Sequence, residues 1–137
     1  MLVADPTAIV HLCIPGECHA AALAAYRRDP DWLTAPLWRY EFINVLWKMQ
    51  RAGRNDPEAA AEIFYLAAER MTLRERAPSD MEALSLALKH RISAYDAYFV
   101  TLAQKLELTL LTEDKELLAK FPEQAVSLEA FAAGSRN

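Results

Sequence analysis

Four acids in this chain stand where strands should end or helices begin: Asp5, Glu41, Asp96 and Asp114. A carboxylate can bind a cation, accept a proton or orient a water. Several carboxylates brought together disfavour one another's ionisation, so a cluster calls for a counter-charge. A divalent cation supplies it, and hard oxygen donors suit Mg2+ or Mn2+. Such an ion can turn a bound water into a nucleophile and stabilise the charge that builds on a phosphate. Clustered acids with no cysteine or histidine nucleophile among them therefore point to phosphodiester hydrolysis. Each acid also has an ordinary role. Asp5 before Pro6 can simply cap a helix, and Glu41 near a helix start complements its dipole.

For the four to meet, the chain must carry them to one edge of a sheet. Leu2-Val3-Ala4 is a short apolar run that reads as a strand ending in Asp5. Pro6 then opens a helix, where its missing N–H has no partner to lose. Pro15-Gly16 breaks that helix, and an alanine-rich amphipathic helix follows from Glu17 to Arg28. Trp32–Ala35 reads as a second strand. Leu37–Arg51 is the strongest helix of the first half, with Trp38, Phe42, Val45, Leu46 and Met49 on one face. Glu41 falls about 60° round from Trp38, at the rim of that face. A helix from Asp56-Pro57 to Arg70, a third strand over Met71–Ala77 and a helix over Met81–Lys89 come next.

The stretch from Ile92 to Leu118 carries two of the acids. Ser93 caps a helix over Ala94–Leu106, with Phe99, Leu102, Ala103 and Leu106 as its apolar stripe. Asp96 lies three residues before Phe99, on the same inward side. Leu108–Thr112 is a continuous apolar run, as central parallel strands are. Asp114 follows it, and Lys115 and Glu116 open a short helix to Lys120. Ala125–Leu128 reads as a final strand, followed from Glu129 by a short helix and a frayed tail. Alternating strands and helices predict an α/β fold: about five short parallel strands sandwiched by helices, in one domain over residues 1–137. Ligands bind such sheets at the carboxyl ends of the strands.

Composition limits the function further. The chain has 137 residues, is 53% hydrophobic and 25% charged, and carries a formal net charge of -4. That composition builds a packed core, and the charge disfavours a domain that coats DNA by bulk electrostatics. No apolar run is long enough to span a membrane, and Asp5 lies in what would otherwise be a leader, so a cytoplasmic location is expected. His11, Cys13, Cys18 and His19 hold atoms that zinc accepts, but their spacing lacks a C-x2-C pair and Pro15-Gly16 interrupts it. A half-buried thiol and a turn between helices account for them.

Four segments carry a family resemblance: VADPTAIV with Asp5 and Thr7, RYEFINVLWK with Glu41 and Asn44, SAYDAYFVTLAQKL with Asp96, and LTLLTEDKEL with Thr112 and Asp114. In their order and separations over nearly the whole chain they resemble PIN-domain ribonucleases, most of all the toxin half of VapBC-type toxin–antitoxin pairs. The resemblance implies a parallel sheet in an α/β/α sandwich and Mg2+ or Mn2+ held by the acids. It also implies endonucleolytic cleavage of RNA, a small antitoxin that covers the active site, and a homodimer. On these grounds Asp5, Asp96 and Asp114 are candidate metal ligands, and Glu41 a ligand or the group that orients the attacking water. Thr7 and Thr112 are candidates to hold those carboxylates or their waters, with Asn44 a polar neighbour. Pro6 departs from the small residue usual after the first acid, and the role of a further acid is not carried onto Glu116.

Contacts to RNA phosphates would need cations, for which Arg39, Lys48, Arg51, Arg54, Arg74 and Arg76 are the candidates. Trp32, Trp38 and Trp47 could stack on bases, although Trp38 at helical spacing with Phe42 reads as core. Rival readings are a catalytically inactive PIN-like binding scaffold or another Mg2+-dependent phosphotransfer protein. A haloacid-dehalogenase-like phosphatase would carry a second Asp where Thr7 stands. A response-regulator receiver would carry an acid pair after the first strand.

Overall fold

In the computed structural model, which describes residues 1–134, the central element is the buried strand β1 (Leu2–Ala4), all three of its residues enclosed. It is flanked by β2 (Trp32–Leu33) on one side and β3 (Leu110–Leu111) on the other, with β4 (Ala125–Val126) outside β3; all pairs are parallel, in the order β2-β1-β3-β4. Helices α1 (Pro6–Cys13), α2 (His19–Arg28), α3 (Trp38–Arg51), α4 (Pro57–Met71), α5 (Asp80–His90), α6 (Ala94–Leu106), α7 (Lys115–Lys120) and α8 (Leu128–Ala132) flank this sheet. The strands read as apolar runs without alternation because both faces are covered.

The expected third strand over Met71–Ala77 does not form. α4 passes instead into a 3-10 turn, Thr72–Arg74, and the chain then makes a single parallel bridge between Thr34 and Glu75. The sheet thus has four strands among the described residues, not about five. The reason lies in burial: of this run only Met71 is buried, while Leu73 is 86% exposed. Alternation without an apolar face gives the segment nothing to bury in the sheet. β1 forms over the expected Leu2–Ala4, β2, β3 and β4 are shorter than the apolar runs that announced them, and the expected tail past residue 134 lies outside the described residues.

Packing of aromatic side chains fixes α3. Trp38 and Phe42 are fully buried, edge to face at 5.6 Å, and Trp38 stacks on Phe64 of α4 at 6.3 Å. The Trp38 indole N–H donates to Oε2 of Glu75 at 2.8 Å, and Arg39 donates to Oε1 at 3.0 Å. Glu75 therefore belongs to the clamp on the start of α3. α6 is held by its buried stripe Phe99, Val100, Leu102 and Ala103. Its C-cap, Glu107, sits in the left-handed region at φ 55° and turns the chain directly into β3. The N-terminus of α6 consequently returns to the carboxyl edge of β3.

Candidate active site

Connectivity brings four helix starts to one edge of the sheet. α1 follows β1, α3 follows β2, α7 follows β3, and α6 runs back from that edge before β3. The sheet's switch point lies between β1 and β3, since the chain leaves β1 in one direction and returns to its other side. Crevices at such points are where open α/β sheets bind ligands. Asp5, Glu41, Asp96 and Asp114 all line one cleft there, of about 640 Å3.

Each acid is placed by its own local structure. Asp5 is the N-cap of α1: Oδ1 accepts the Ala8 N–H at 3.1 Å. Asp114 caps α7 in the same way, accepting the Leu117 N–H at 3.1 Å. Asp96 lies in the first turn of α6, its backbone N–H held by the Ser93 hydroxyl at 3.0 Å. Glu41 lies in the first turn of α3. For Asp5 and Asp114, capping and lining the cleft are not alternatives, because a carboxylate has more lone pairs than one cap consumes.

Asp5 is buried, 2% exposed, and its carboxylate is held from both sides. The Thr7 hydroxyl donates to Oδ1 at 2.6 Å and the Thr112 hydroxyl to Oδ2 at 2.5 Å. Each threonine oxygen in turn accepts a backbone N–H: Thr7 that of Glu113 at 2.8 Å, Thr112 that of Asp114 at 3.0 Å. The turn that carries Asp114 is thereby tied to the carboxylate of Asp5. Sheet register makes this possible. Ala4 pairs with Leu111, so the next residues on the two strands, Asp5 and Thr112, stand side by side.

The electrostatics match a crowded site. Burial pushes Asp5 up to about 6, with the charge of Asp96 adding to it and the Thr112, Thr7 and Ala8 hydrogen bonds opposing. Glu41 is pushed up to about 7 by burial and then by the charges of Asp96, Asp5 and Asp114. Asp96 is raised by burial, Asp114 and Glu116, with Ser93 opposing. Among the described residues nothing hydrogen-bonds the Glu41 carboxylate, so it is the acid least committed to the fold. No three His, Cys, Asp or Glu side chains among the described residues are drawn tightly around a ready-made cation position. The donors nonetheless fit Mg2+ or Mn2+: they are all carboxylate oxygens, mutually repelling, in an open cleft with room for the waters that Mg2+ retains.

Of the remaining candidates, Asn44 lines the cleft one turn along α3 from Glu41, and Lys48 lines it one turn further on. Arg54 is exposed and does not line the cleft, and the other candidate arginines are engaged elsewhere. Arg39 pairs with Glu75, Arg74 pairs with Asp31, Arg76 donates to the Glu75 carbonyl at 2.8 Å, and Arg51 lies over the Trp47 ring at 5.3 Å. Trp32 and Trp38 are core, and only Trp47 is exposed. Glu116 is exposed and pairs with Lys120 at 3.4 Å. His19 donates from Nδ1 to the His11 carbonyl at 2.9 Å, and Cys13 and Cys18 are half-buried free thiols.

Two residues of the cleft wall went unassigned in the sequence: Tyr40 and Tyr95, 70% and 62% exposed. A signal was present, because a tyrosine directly precedes both of the cleft acids borne within helices, in YE at Glu41 and YD at Asp96.

Comparison with known proteins places the chain in a family. Residues 3–123 match the PIN domain family. The chain is 36% identical over 127 residues to ribonuclease VapC3 of Pyrobaculum aerophilum, covering 88% of this chain and 95% of that one. It is 38% identical over 81 residues to exonuclease VapC9 of the same organism, covering 59% and 60%. The crystal structure of PAE2754 from Pyrobaculum aerophilum superposes with a TM-score of 0.78 at 27% identity, over 96% of this chain and 93% of that one. With a family match over most of its length and a relative of this identity along nearly all of it, the chain belongs to the PIN-domain family, on its VapC-like branch.

Proposed function

We propose that this protein is a divalent-metal-dependent endoribonuclease, acting as the toxin of a toxin–antitoxin pair in the cytoplasm, with residues 1–137 working as one domain. The observation that carries the reading is the meeting of Asp5, Glu41, Asp96 and Asp114, from four separate helix starts, on one cleft. Asp5, Asp96 and Asp114 are the proposed ligands of Mg2+ or Mn2+, with Glu41 beside them. When bound, the ion supplies positive charge to the scissile phosphate and lowers the pKa of a water.

The chain's own side chains have distinct tasks. Thr7 and Thr112 fix the Asp5 carboxylate and keep its lone pairs directed. Glu41, hydrogen-bonded by none of the described residues and raised toward neutrality, accepts a proton from the attacking water or orients it. Asn44 offers a polar contact beside it. Lys48 neutralises a phosphate of the bound strand. The remaining partners proposed are a small cognate antitoxin that covers this cleft and a second copy of the chain. Among the described residues no helix is long and apolar enough to cross a membrane.

The test uses purified protein with a circular single-stranded RNA and a linear one. Cleavage of both with Mg2+ or Mn2+, stopped by EDTA, is the expected result. Cleavage of the linear RNA alone would replace endonuclease by exonuclease, the activity for which the VapC9 relative is named. Equal cleavage in EDTA would remove the metal mechanism. Asp96→Asn should be inactive with an unchanged circular-dichroism spectrum. Growth arrest on expression, relieved by Asp5→Ala, tests the toxin assignment.

A further inference from the structure

Beside the acidic cleft lies a second depression, of about 340 Å3, that shares Leu37, Tyr40 and Tyr95 with it. Three of the five tyrosines of the chain, Tyr40, Tyr95 and Tyr98, gather on its wall. Ala35, Pro36, Ala77 and Pro78 add apolar lining. Tyr95 and Tyr98 stand three residues apart on α6 and so share a face, with Asp96 between them in sequence. The volume sits at the low end of the roughly 300–1,000 Å3 typical of small-molecule sites, so it suits one planar group. Among the described residues one charged group lines it: Asp80, first residue of α5, whose Oδ1 accepts the Tyr98 hydroxyl at 2.8 Å.

We infer that this pocket is a nucleobase subsite for the RNA strand that crosses the cleft, and that it prefers guanine. The inference rests on the ribonuclease reading of the neighbouring acids. Unstacked bases of single-stranded RNA are bound on aromatic side chains and read along their Watson–Crick edges. Tyrosines open to solvent at the mouth of a phosphate-cleaving cleft supply the first requirement. Asp80 supplies the second. The Tyr98 hydroxyl pins its carboxylate, and Oδ2 has no partner among the described residues. A carboxylate only accepts. Guanine presents two adjacent donors, N1–H and the N2 amino group, with no acceptor between them. Adenine and cytosine set an acceptor ring nitrogen beside their one amino group, and uracil sets its single N–H between two carbonyls. Both arrangements place an oxygen or nitrogen lone pair against the carboxylate.

The experiment measures binding of fluorescently labelled single-stranded hexanucleotides to the Asp96→Asn protein in Mg2+ by anisotropy. A hexamer of uridines is compared with hexamers bearing one guanosine, adenosine or cytidine. Guanosine should tighten binding several-fold over the uridine hexamer. Adding Tyr98→Ala should weaken the guanosine hexamer about ten-fold, and adding Asp80→Asn should remove the preference while leaving the uridine hexamer bound. Circular dichroism checks that each double variant is folded, and Tyr98→Phe, which keeps the ring and drops the pinning hydroxyl, should lose preference rather than affinity. Equal affinity for all four hexamers, or no effect of Tyr98→Ala and Asp80→Asn on bound RNA, overturns the subsite. If Tyr98→Ala instead releases a co-purifying small protein and leaves RNA binding intact, the pocket serves a protein partner and the inference falls. Failure of the ribonuclease reading looks different: no hexamer binds and the wild type cuts no RNA, which removes the subsite with it.

Discussion

The Thr112 hydroxyl donates to Asp5 across 107 residues of sequence, joining the ends of β1 and β3 at the point where the acidic cleft opens. Thr112 is fully buried, and the same oxygen accepts the Asp114 N–H. One hydroxyl therefore holds one candidate ligand by its carboxylate and another by its backbone. Thr112→Val keeps the shape and removes both bonds. Leaving a buried donor and acceptor unpaired costs about 1–3 kcal/mol. The variant should lose that much stability in urea unfolding and most of its cleavage activity, while Thr112→Ser should keep most of both.

Asp5 and Glu41 both titrate above the ordinary carboxylate range, at about 6 and about 7. In the metal-free protein they hold protons that the unfolded chain has already released. The native state then binds more protons than the unfolded state, so stability falls as pH rises. This loss begins near the ordinary carboxylate values and is complete once pH passes about 7. Asp5 alone accounts for roughly 3 kcal/mol at most. Metal-free protein should thus melt at a lower temperature at pH 8 than at pH 5, and added Mg2+ should raise the melting temperature more at pH 8. A melting temperature that rises with pH without metal would contradict the crowding of these carboxylates.

Glu41 repels three other acids and accepts no hydrogen bond from the described residues. Glu41→Gln removes a charge without removing a structural contact. After allowance for solvent screening, the gain is about 0.5–1 kcal/mol at pH 8 in the absence of metal. Cleavage should fall by at least ~100-fold, in the range expected of a lost proton acceptor. Differential scanning calorimetry and single-turnover cleavage separate the two effects.

Lys48 is the candidate RNA-binding cation that lines the cleft. Lys48→Ala should raise KM for RNA several-fold and leave kcat nearly unchanged. One lost phosphate contact on a single strand lowers the slope of log affinity against log salt by about 0.7. An unchanged slope would take Lys48 off the path of the strand.

Glu75 grips the first turn of α3 through Trp38 and Arg39 and lies outside the cleft lining. Glu75→Ala leaves the buried indole N–H unpaired, at a cost of about 2 kcal/mol. Because Glu41 sits in that same turn, activity should drop at temperatures where the variant is still folded. Circular dichroism and cleavage measured together check this.

The sequence by itself determined the kind of fold and marked the four acids that the structure brings to one cleft. Apolar runs too short for helices, each followed by a cap residue or a proline, specify parallel strands, two of which lead into Asp5 and Asp114. The helical stripes around Trp38 and Phe99 set Glu41 and Asp96 on inward-turned first turns. These are local signals, since periodicity and capping depend on neighbours within one or two turns. Met71–Ala77 shows their limit: alternation without a buried face predicted a strand, and burial decided against it.

Only the tertiary structure decided which side chains share a space. Register between β1 and β3 set Thr112 against Asp5, and the turn at Glu107 brought the start of α6 back to the sheet edge. Packing chose Lys48 for the cleft and engaged Arg39 and Arg74 elsewhere. It also opened the tyrosine-lined pocket beside the acids, from Pro36, Pro78, Tyr40 and Tyr98 on separate elements. Contacts of this kind join residues tens to more than a hundred positions apart. No short-range pattern encodes them, because their geometry exists only once the sheet order and the helix faces are fixed together.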